Sequence, residues 1–539
     1  MDKICIYDTT LRDGTQAEDV NLSTQDKLRI THKLDELGIH YIEGGWPLSN
    51  PTDQKFFEEI RHYRLKHSRI TAFGSTHAPN GKPETDPNLQ ALIQAKTDSI
   101  TIFGKTWDVH VKEALRTSNE NNLDMISQSV GFLKENVQEV FFDAEHLFDG
   151  FKANRDFALA CLKRAQEAGA DVLVLCDTNG GTLTTEIARI IEEIKKEIPE
   201  AKLGIHAHND SELAVANSLM AVEHGVEHVQ GTINGYGERC GNANLCSIIP
   251  TLQLKMEKKV ISEKQLATLT PTSHFISEVC NLRSFHRQPF TGKSAFAHKG
   301  GIHVSAVRKN SRTYEHIRPE LVGNKQRILL SDLAGQSNIL FKARQYGFHL
   351  DKDDPFVLDL LSKLKDLESK GYEFAAADAS FELLLNRTLG RCRHYFTLKE
   401  FRVLETEREE DEAPISEATV LVKVGGMLEH TAAHGKGPVN ALDNALRKAL
   451  ERFYPSLSEM HLLDFKVRVF TAENQDYSGT ASRVRVLIES GDYKNKWITV
   501  GVSFNIIEAS KQALEDSLNY KLFKEDQEKL TRAIKEASE

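Results

Sequence analysis

One pattern constrains the fold of this chain more than any other. Between residue 3 and about residue 256, eight short β-rich runs alternate with stretches of helical apolar spacing. The runs are Ile4–Tyr7, Tyr41–Glu43, Arg69–Phe73, Ser99–Phe103, Glu139–Asp143, Val172–Cys176, Lys202–His206 and His228–Gly231. Between them lie amphipathic patterns such as Thr24–Leu37, Arg155–Ala168 and Thr184–Ile198. Many follow a Ser, Thr or Asp and stop at a glycine, as at Gly38, Gly169 and Gly225, where a left-handed residue ends a helix cheaply. A strand followed by a helix, eight times in about 250 residues, is the count and size of a (β/α)8 TIM barrel. A doubly wound open sheet is the alternative, weakened because no GxGxxG follows the first strand.

The barrel accounts for half of 539 residues. Residues 257–345 are less regular, with helical pieces around the turn Ala297-His-Lys-Gly-Gly-Ile-His303, and residues 350–400 look helical. The acidic run Glu405 to Glu412, followed by Pro414, reads as a solvated spacer. Beyond it, expected strands Thr419–Val424, Leu463–Thr471, Ser482–Glu489 and Trp497–Val502 alternate with helices Val439–Arg452 and Ile506–Ser517. That order suggests two duplicated strand–strand–helix units. Gly425-Gly426 marks a hairpin, and Gly435-Lys-Gly-Pro-Val439 opens a helix. The expected organisation is a barrel over 1–275, a helical linker subdomain over 276–400, an acidic linker over 401–414 and a C-terminal α/β domain over 415–525.

Composition excludes several classes. A net charge of -10 disfavours non-specific binding to nucleic acid or an anionic membrane. No apolar run reaches the roughly 18–20 residues of a membrane span, and the N-terminus has no secretory pattern. Seven scattered cysteines without a CxxC pair read as reduced thiols of a cytoplasmic protein.

Active sites of such barrels lie at the C-terminal ends of the strands. There the sequence places Asp8-Thr-Thr-Leu-Arg12-Asp13-Gly-Thr-Gln16 after strand 1, Glu43 after strand 2, and Asp143, Glu145 and His146 after strand 5. Asp177-Thr178-Asn179 follow strand 6, and His206-Ala-His208-Asn-Asp210 close strand 7. Asn234-Gly-Tyr-Gly-Glu-Arg-Cys-Gly-Asn242 follow strand 8. His206 and His208 are two apart, so both imidazoles face one side and can share an ion. Two His and a carboxylate form a usual set for a divalent metal with open positions, and Asp13 is the candidate carboxylate. An HxH pair alone is a weak signal; its place opposite an acidic loop strengthens it. Arg12 is a permanent cation, able to stabilise an oxyanion or to pair with a strand-end carboxylate.

These motifs, in order at strands 1, 7 and 8, resemble the signatures of the 2-isopropylmalate synthase/homocitrate synthase family. These are metal-dependent, Claisen-condensing TIM barrels with related aldol lyases. The turn Ala297–His303 and Tyr314 resemble that family's linker subdomain, and 415–520 resembles the regulatory domain of its synthase branch. Gly14-Thr15-Gln16, Glu43-Gly-Gly-Trp-Pro47 and Thr499-Val-Gly-Val-Ser-Phe-Asn-Ile-Ile-Glu-Ala-Ser510 resemble the citramalate-forming branch more than the isopropylmalate-forming one. Asp19-Val-Asn-Leu22 departs from the smaller, Gly-containing stretch expected after the first motif.

The resemblance implies an acyltransferase that condenses acetyl-CoA with pyruvate and hydrolyses the thioester. A divalent metal (Mn²⁺, Mg²⁺ or Zn²⁺) would be held by Asp13, His206 and His208, with Asn242 near or in the shell. Arg12 would stabilise the alkoxide, Thr178 would bind the pyruvate carboxylate, and the base would be assembled around Glu145 and His303 with Tyr314 nearby. Phe103 is a candidate wall limiting the oxo acid, and Glu43 a candidate orienter of Arg12 or of a metal-bound water. The resemblance also implies a homodimer or higher assembly, with His303 and Tyr314 completing the partner's site. It further implies a C-terminal domain that binds the end product, isoleucine. The alternatives are a 2-isopropylmalate synthase inhibited by leucine, a Re-citrate or homocitrate synthase, a metal-dependent aldol lyase, and a regulatory paralogue with an inactive barrel.

Overall fold

A computed structural model describes residues 3–328, 340, 343–344, 346–348, 350–351, 354–374, 376–407, 415–470, 482–493 and 495–538. The chain divides into two compact units, Met1–Ala297 with Glu315–Gln326, and His298–Tyr314 with Arg327–Glu539.

The first unit is a closed barrel of eight parallel strands in sequential order. They are β1 (Cys5–Asp8), β2 (Tyr41–Gly45), β3 (Arg69–Ser75), β4 (Ser99–Lys105), β5 (Glu139–Glu145), β6 (Val172–Asp177), β7 (Leu203–Ala207) and β8 (His228–Gly231). Pairing of β1 with both β2 and β8 closes the ring. The connecting helices are α1 (Thr24–Leu37), α2 (Pro51–Ile60), α3 (Pro87–Gln94), α4 (Asn119–Lys134), α5 (Arg155–Glu167), α6 (Thr184–Glu197), α7 (Ala214–Glu223) and α8 (Leu245–Leu254). Local chemistry sets the helix ends. Ser23 caps α1 in a reciprocal box with Asp26, and Gly38 ends it at a φ of 87°.

The strands alternate by face. Ile6, Ile42, Ala72, Ile100, Ile102, Val140, Phe142, Leu173, Leu175, Ile205 and Val229 are buried in one continuous apolar cluster with the helices. The residues of opposite parity line the barrel interior and are largely polar. The Tyr7 hydroxyl on β1 reaches Glu43 Oε2 at 2.7 Å and Thr101 Oγ1, across the barrel on β4, at 2.6 Å. Thr71 and Ser99 hydroxyls meet at 2.7 Å. A buried network of this kind is tolerable because its members are paired.

In the second unit the C-terminal domain holds two three-stranded antiparallel sheets, each followed by a helix. One comprises β9 (Thr397–Thr406), β10 (Ile415–Val424) and β11 (Met427–Gly435), followed by α9 (Pro438–Leu450). The other comprises β12 (His461–Phe470), β13 (Arg483–Gly491) and β14 (Lys496–Ser503), followed by α10 (Ile506–Ser538). The duplication therefore repeats strand–strand–strand–helix in place of the expected strand–strand–helix, and the two strands missing from the expected order, β9 and β11, both belong to the first unit. Residues 401–406, expected in the acidic linker, belong to β9 and pair with β10 through Thr406↔Ile415. The charged residues Lys399, Glu400, Arg402 and Glu405 hid that strand, because it carries them on a largely exposed surface. Residues 408–414 of the expected linker lie outside the described residues. Gly425 and Gly426, at φ of 54° and 95°, make the two-residue turn that joins β10 to β11. Helices Pro355–Ser369 and Asp378–Thr388 pack with Val500 and Val502 of β14 in a separate apolar cluster, so the helical region merges into the C-terminal domain. Among the described residues, no helix is long and apolar enough to cross a membrane. All seven cysteines are free thiols.

Candidate active site

The turn after β1 is fastened before it carries any chemistry. Thr9 N–H donates to Gly231 O at 2.8 Å, and the buried Asp8 carboxylate accepts from the Thr10 N–H and hydroxyl, each at 2.9 Å. Thr10 Oγ1 in turn accepts from Ile233 N–H at 2.9 Å, tying the turn to the chain leaving β8. This anchoring puts Arg12 and Asp13 at the mouth, facing the end of β7.

Asp13 Oδ2 stands 3.3 Å from His206 Nε2 and 3.9 Å from His208 Nε2, and the two imidazole nitrogens are 3.3 Å apart. All three side chains are buried, and one ligand atom from each fits within 4.8 Å of the others. The backbone of Asn242 bridges to His208. Asp13 Oδ1 and Asn242 Oδ1 are both buried without a hydrogen-bond partner. Buried acceptors lacking donors call for an explanation. A carboxylate and two imidazoles suit a borderline divalent cation, so the residues present fit a metal.

The electrostatics differ between the two histidines: burial would lower His206, but the adjoining Asp13 raises it above its usual range. Burial would raise the Asp13 carboxyl, but the Arg12 guanidinium and His206 hold it well below the usual carboxylate range. Burial and the neighbouring His206 depress His208 to about 4, leaving a neutral imidazole, the form that binds metals. His206 Nδ1 lies 2.8 Å from Gln230 Oε1, and Gln230 Nε2 donates to Asp143 Oδ1 at 3.0 Å. Asp143 itself is raised to about 7, chiefly by burial.

Arg12 is held on three sides. Nε donates to Glu43 Oε1 at 2.6 Å, Nη1 lies 3.3 Å from Asp13 Oδ2, and the guanidinium carbon sits 3.7 Å over the Phe73 ring. Glu43, fully buried and also accepting from Tyr7, contacts Arg12, which fits the first of its two expected orienting roles. Phe73 and Phe103 stack at 5.6 Å, and Trp46 packs edge-on against each at 5.9 Å. Thr178 Oγ1 accepts from the His146 N–H at 2.9 Å. Glu145, at the end of β5, forms an ion pair with Lys105 at the end of β4.

A cavity of about 260 Å³ gathers Arg12, Asp13, Phe103, Glu145, Thr178, His206 and His208, together with Trp46, Phe73, Asp143 and Arg239. Larger hollows exist, about 420 Å³ at the opposite barrel rim and about 620 Å³ beside α10, but among the described residues neither holds a cluster of metal-ligating side chains. His303 and Tyr314 belong to the second unit, where their rings stack at 4.1 Å on an exposed surface. Sequence reasoning missed Trp46, Phe73, Lys105 and Gln230 as members of the site. Strand parity was the available signal. Gln230 has the inward parity of its strand, and Lys105 pairs in register with Glu145.

Comparison with known proteins follows the same layout. A family model described as HMGL-like matches residues 3–276. One for the homocitrate synthase post-HMGL domain matches 290–371, and one for the LeuA allosteric (dimerisation) domain matches 375–522. The chain is 59% identical to an (R)-citramalate synthase of Geobacter sulfurreducens over 98% of this chain and 99% of that protein. It is 55% identical, over the same shares, to an (R)-citramalate synthase of Aquifex aeolicus. Identity to a 2-isopropylmalate synthase of Methanocaldococcus jannaschii is 32%, over 97% of this chain and 96% of that protein.

Proposed function

The chain belongs to the (R)-citramalate synthase family, and from that membership we propose that its barrel joins the methyl carbon of acetyl-CoA to the keto carbon of pyruvate and, with one water cleaving the thioester, releases (R)-citramalate and CoA. The observation that supports this most is the buried Asp13–His206–His208 cluster beside Arg12, in a cavity small enough for a short oxo acid.

Asp13, His206 and His208, with Asn242 adjoining, would hold a divalent cation, which would supply Lewis-acid polarisation of the oxo acid's carbonyl. The chain's own groups do the rest. Thr178 hydrogen-bonds the pyruvate carboxylate. Arg12, fixed by Glu43 and Phe73, holds its charge where oxygen becomes negative, at the alkoxide and the acetyl enolate. Because it is positioned beforehand, little reorganisation opposes the reaction. Glu145, with Lys105 beside it, lies in the same cavity and serves the base that takes a methyl proton from acetyl-CoA. His303 and Tyr314 complete that base from the partner of a homodimer, a role their mutual stacking and exposure support. The aromatic wall of Phe103, Phe73 and Trp46 excludes longer oxo acids.

Residues 375–522 carry the allosteric domain, and we assign isoleucine as its ligand, placing the enzyme at the first step of a pyruvate route to 2-oxobutyrate and isoleucine. Free thiols throughout are consistent with a cytoplasmic enzyme. The test is thiol release from acetyl-CoA by protein loaded with Mn²⁺ or Mg²⁺, offered pyruvate, 2-oxobutyrate or 2-oxoisovalerate. Fastest release with pyruvate is expected. Preference for 2-oxoisovalerate would assign the chain to 2-isopropylmalate synthesis.

A further inference from the structure

The interior of the barrel contains one polar chain that leads to His206 and ends on a buried carboxyl. His206 Nδ1 is 2.8 Å from Gln230 Oε1 on β8, and Gln230 Nε2 donates to Asp143 Oδ1 on β5 at 3.0 Å. All three residues are buried, Gln230 completely. We propose that Gln230 and Asp143 are positioning residues that select the tautomer of His206, so that its Nε2 lone pair faces Asp13 and His208.

A side-chain amide has an oxygen face and an NH₂ face, and packing alone barely distinguishes them. Asp143 Oδ1 accepts, so it draws the NH₂ face to itself and leaves Oε1 facing His206. An oxygen there accepts, so the imidazole carries its proton on Nδ1 and presents a bare Nε2. The opposite amide orientation would place NH₂ against Nδ1, move the imidazole proton to Nε2 and point an N–H at Asp13. An N–H cannot bind a cation. The inference rests on the metal reading of the cluster, and it adds two residues from strands that supply no ligand. Groups that orient a metal-bound histidine through its other nitrogen typically set affinity by about 10–100-fold.

The experiment is direct Mn²⁺ binding to the full-length protein, followed by the electron paramagnetic resonance signal of free Mn²⁺. It compares the unaltered chain, Gln230→Leu, Gln230→Glu and His206→Ala, with the melting temperature of each metal-free protein as the control for folding. Gln230→Leu keeps the volume but removes the acceptor, and its dissociation constant should rise about 10–100-fold. Gln230→Glu keeps an oxygen for Nδ1–H and can share a proton with Asp143, so it should recover most of the loss. A Gln230→Leu protein that binds Mn²⁺ as tightly as the unaltered chain would overturn the proposal, as would equal weakening in the Leu and Glu variants. Absence of Mn²⁺ binding by the unaltered chain would overturn the metal reading itself and the proposal with it.

Discussion

Replacing Phe103 by alanine tests how the cavity chooses its oxo acid. Phe103 lies in the lining with Arg12 and the His pair, stacked on Phe73 at 5.6 Å and touched edge-on by Trp46 at 5.9 Å. 2-Oxoisovalerate carries two more carbons than pyruvate. At about 0.8 kcal/mol per buried methylene, seating both is worth about 1.6 kcal/mol, roughly a 15-fold factor. Relief of steric exclusion adds to this, and pockets of this kind discriminate by about 10–200-fold for such differences. The ratio of kcat/KM for pyruvate over 2-oxoisovalerate should therefore fall by about 10–200-fold in Phe103→Ala. The assay is CoA release at varied oxo acid and fixed metal. The ring also contributes about 0.5–1.5 kcal/mol per aromatic contact to the wall, so the melting temperature is measured alongside. An unchanged ratio in a folded, metal-binding variant would refute the assignment of Phe103 as a wall of the substrate pocket.

Three further outcomes are expected. Arg12→Lys keeps the charge but loses the planar fork between Glu43 and Asp13, so kcat should drop by about 10²–10³ while the KM for pyruvate changes less; steady-state kinetics check this. Asp35 accepts backbone N–H groups of Lys66, His67 and Ser68 at 2.8–3.1 Å; burial opposes ionisation, but these bonds hold the carboxyl below its usual range. A depressed folded value stabilises above the unfolded value of about 3.9 and is lost as pH falls through the folded value. Asp35→Asn should therefore be less stable than the unaltered chain at neutral pH, and thermal melts should show the gap narrowing below about pH 4. Isoleucine should raise the melting temperature and slow CoA release, with leucine much less effective, because a ligand that binds only the folded state stabilises it by mass action.

The barrel was readable because its period is simple. Thr24–Leu37 is α1 residue for residue, since the Ser23 box and Gly38 fix both ends chemically. The expected strands stop one to two residues short of several observed ends. Gly45, Ser75, Lys105, Glu145 and Asp177 belong to their strands because parallel neighbours extend the ladder, information that lies in the partner and not in the run itself. Asp13, His206 and His208 were legible as a cluster because motif spacing reports strand ends. Gln230 and Lys105 were not, because their meaning comes from side chains on other strands. β9 and β11 were hidden for a different reason. Both are largely exposed edge strands, one charged and the other rich in Ala, His and Gly, so neither shows the apolar alternation of a half-buried strand.

A carbon–carbon bond between acetyl-CoA and pyruvate is read from the acid it produces. Protein loaded with Mn²⁺ is given acetyl-CoA and pyruvate, and the products are resolved by chiral chromatography with mass detection while CoA is quantified. One (R)-citramalate for each CoA released is predicted. CoA release with acetate in place of citramalate would contradict the account, because the barrel would then be hydrolysing a thioester without joining carbon to carbon.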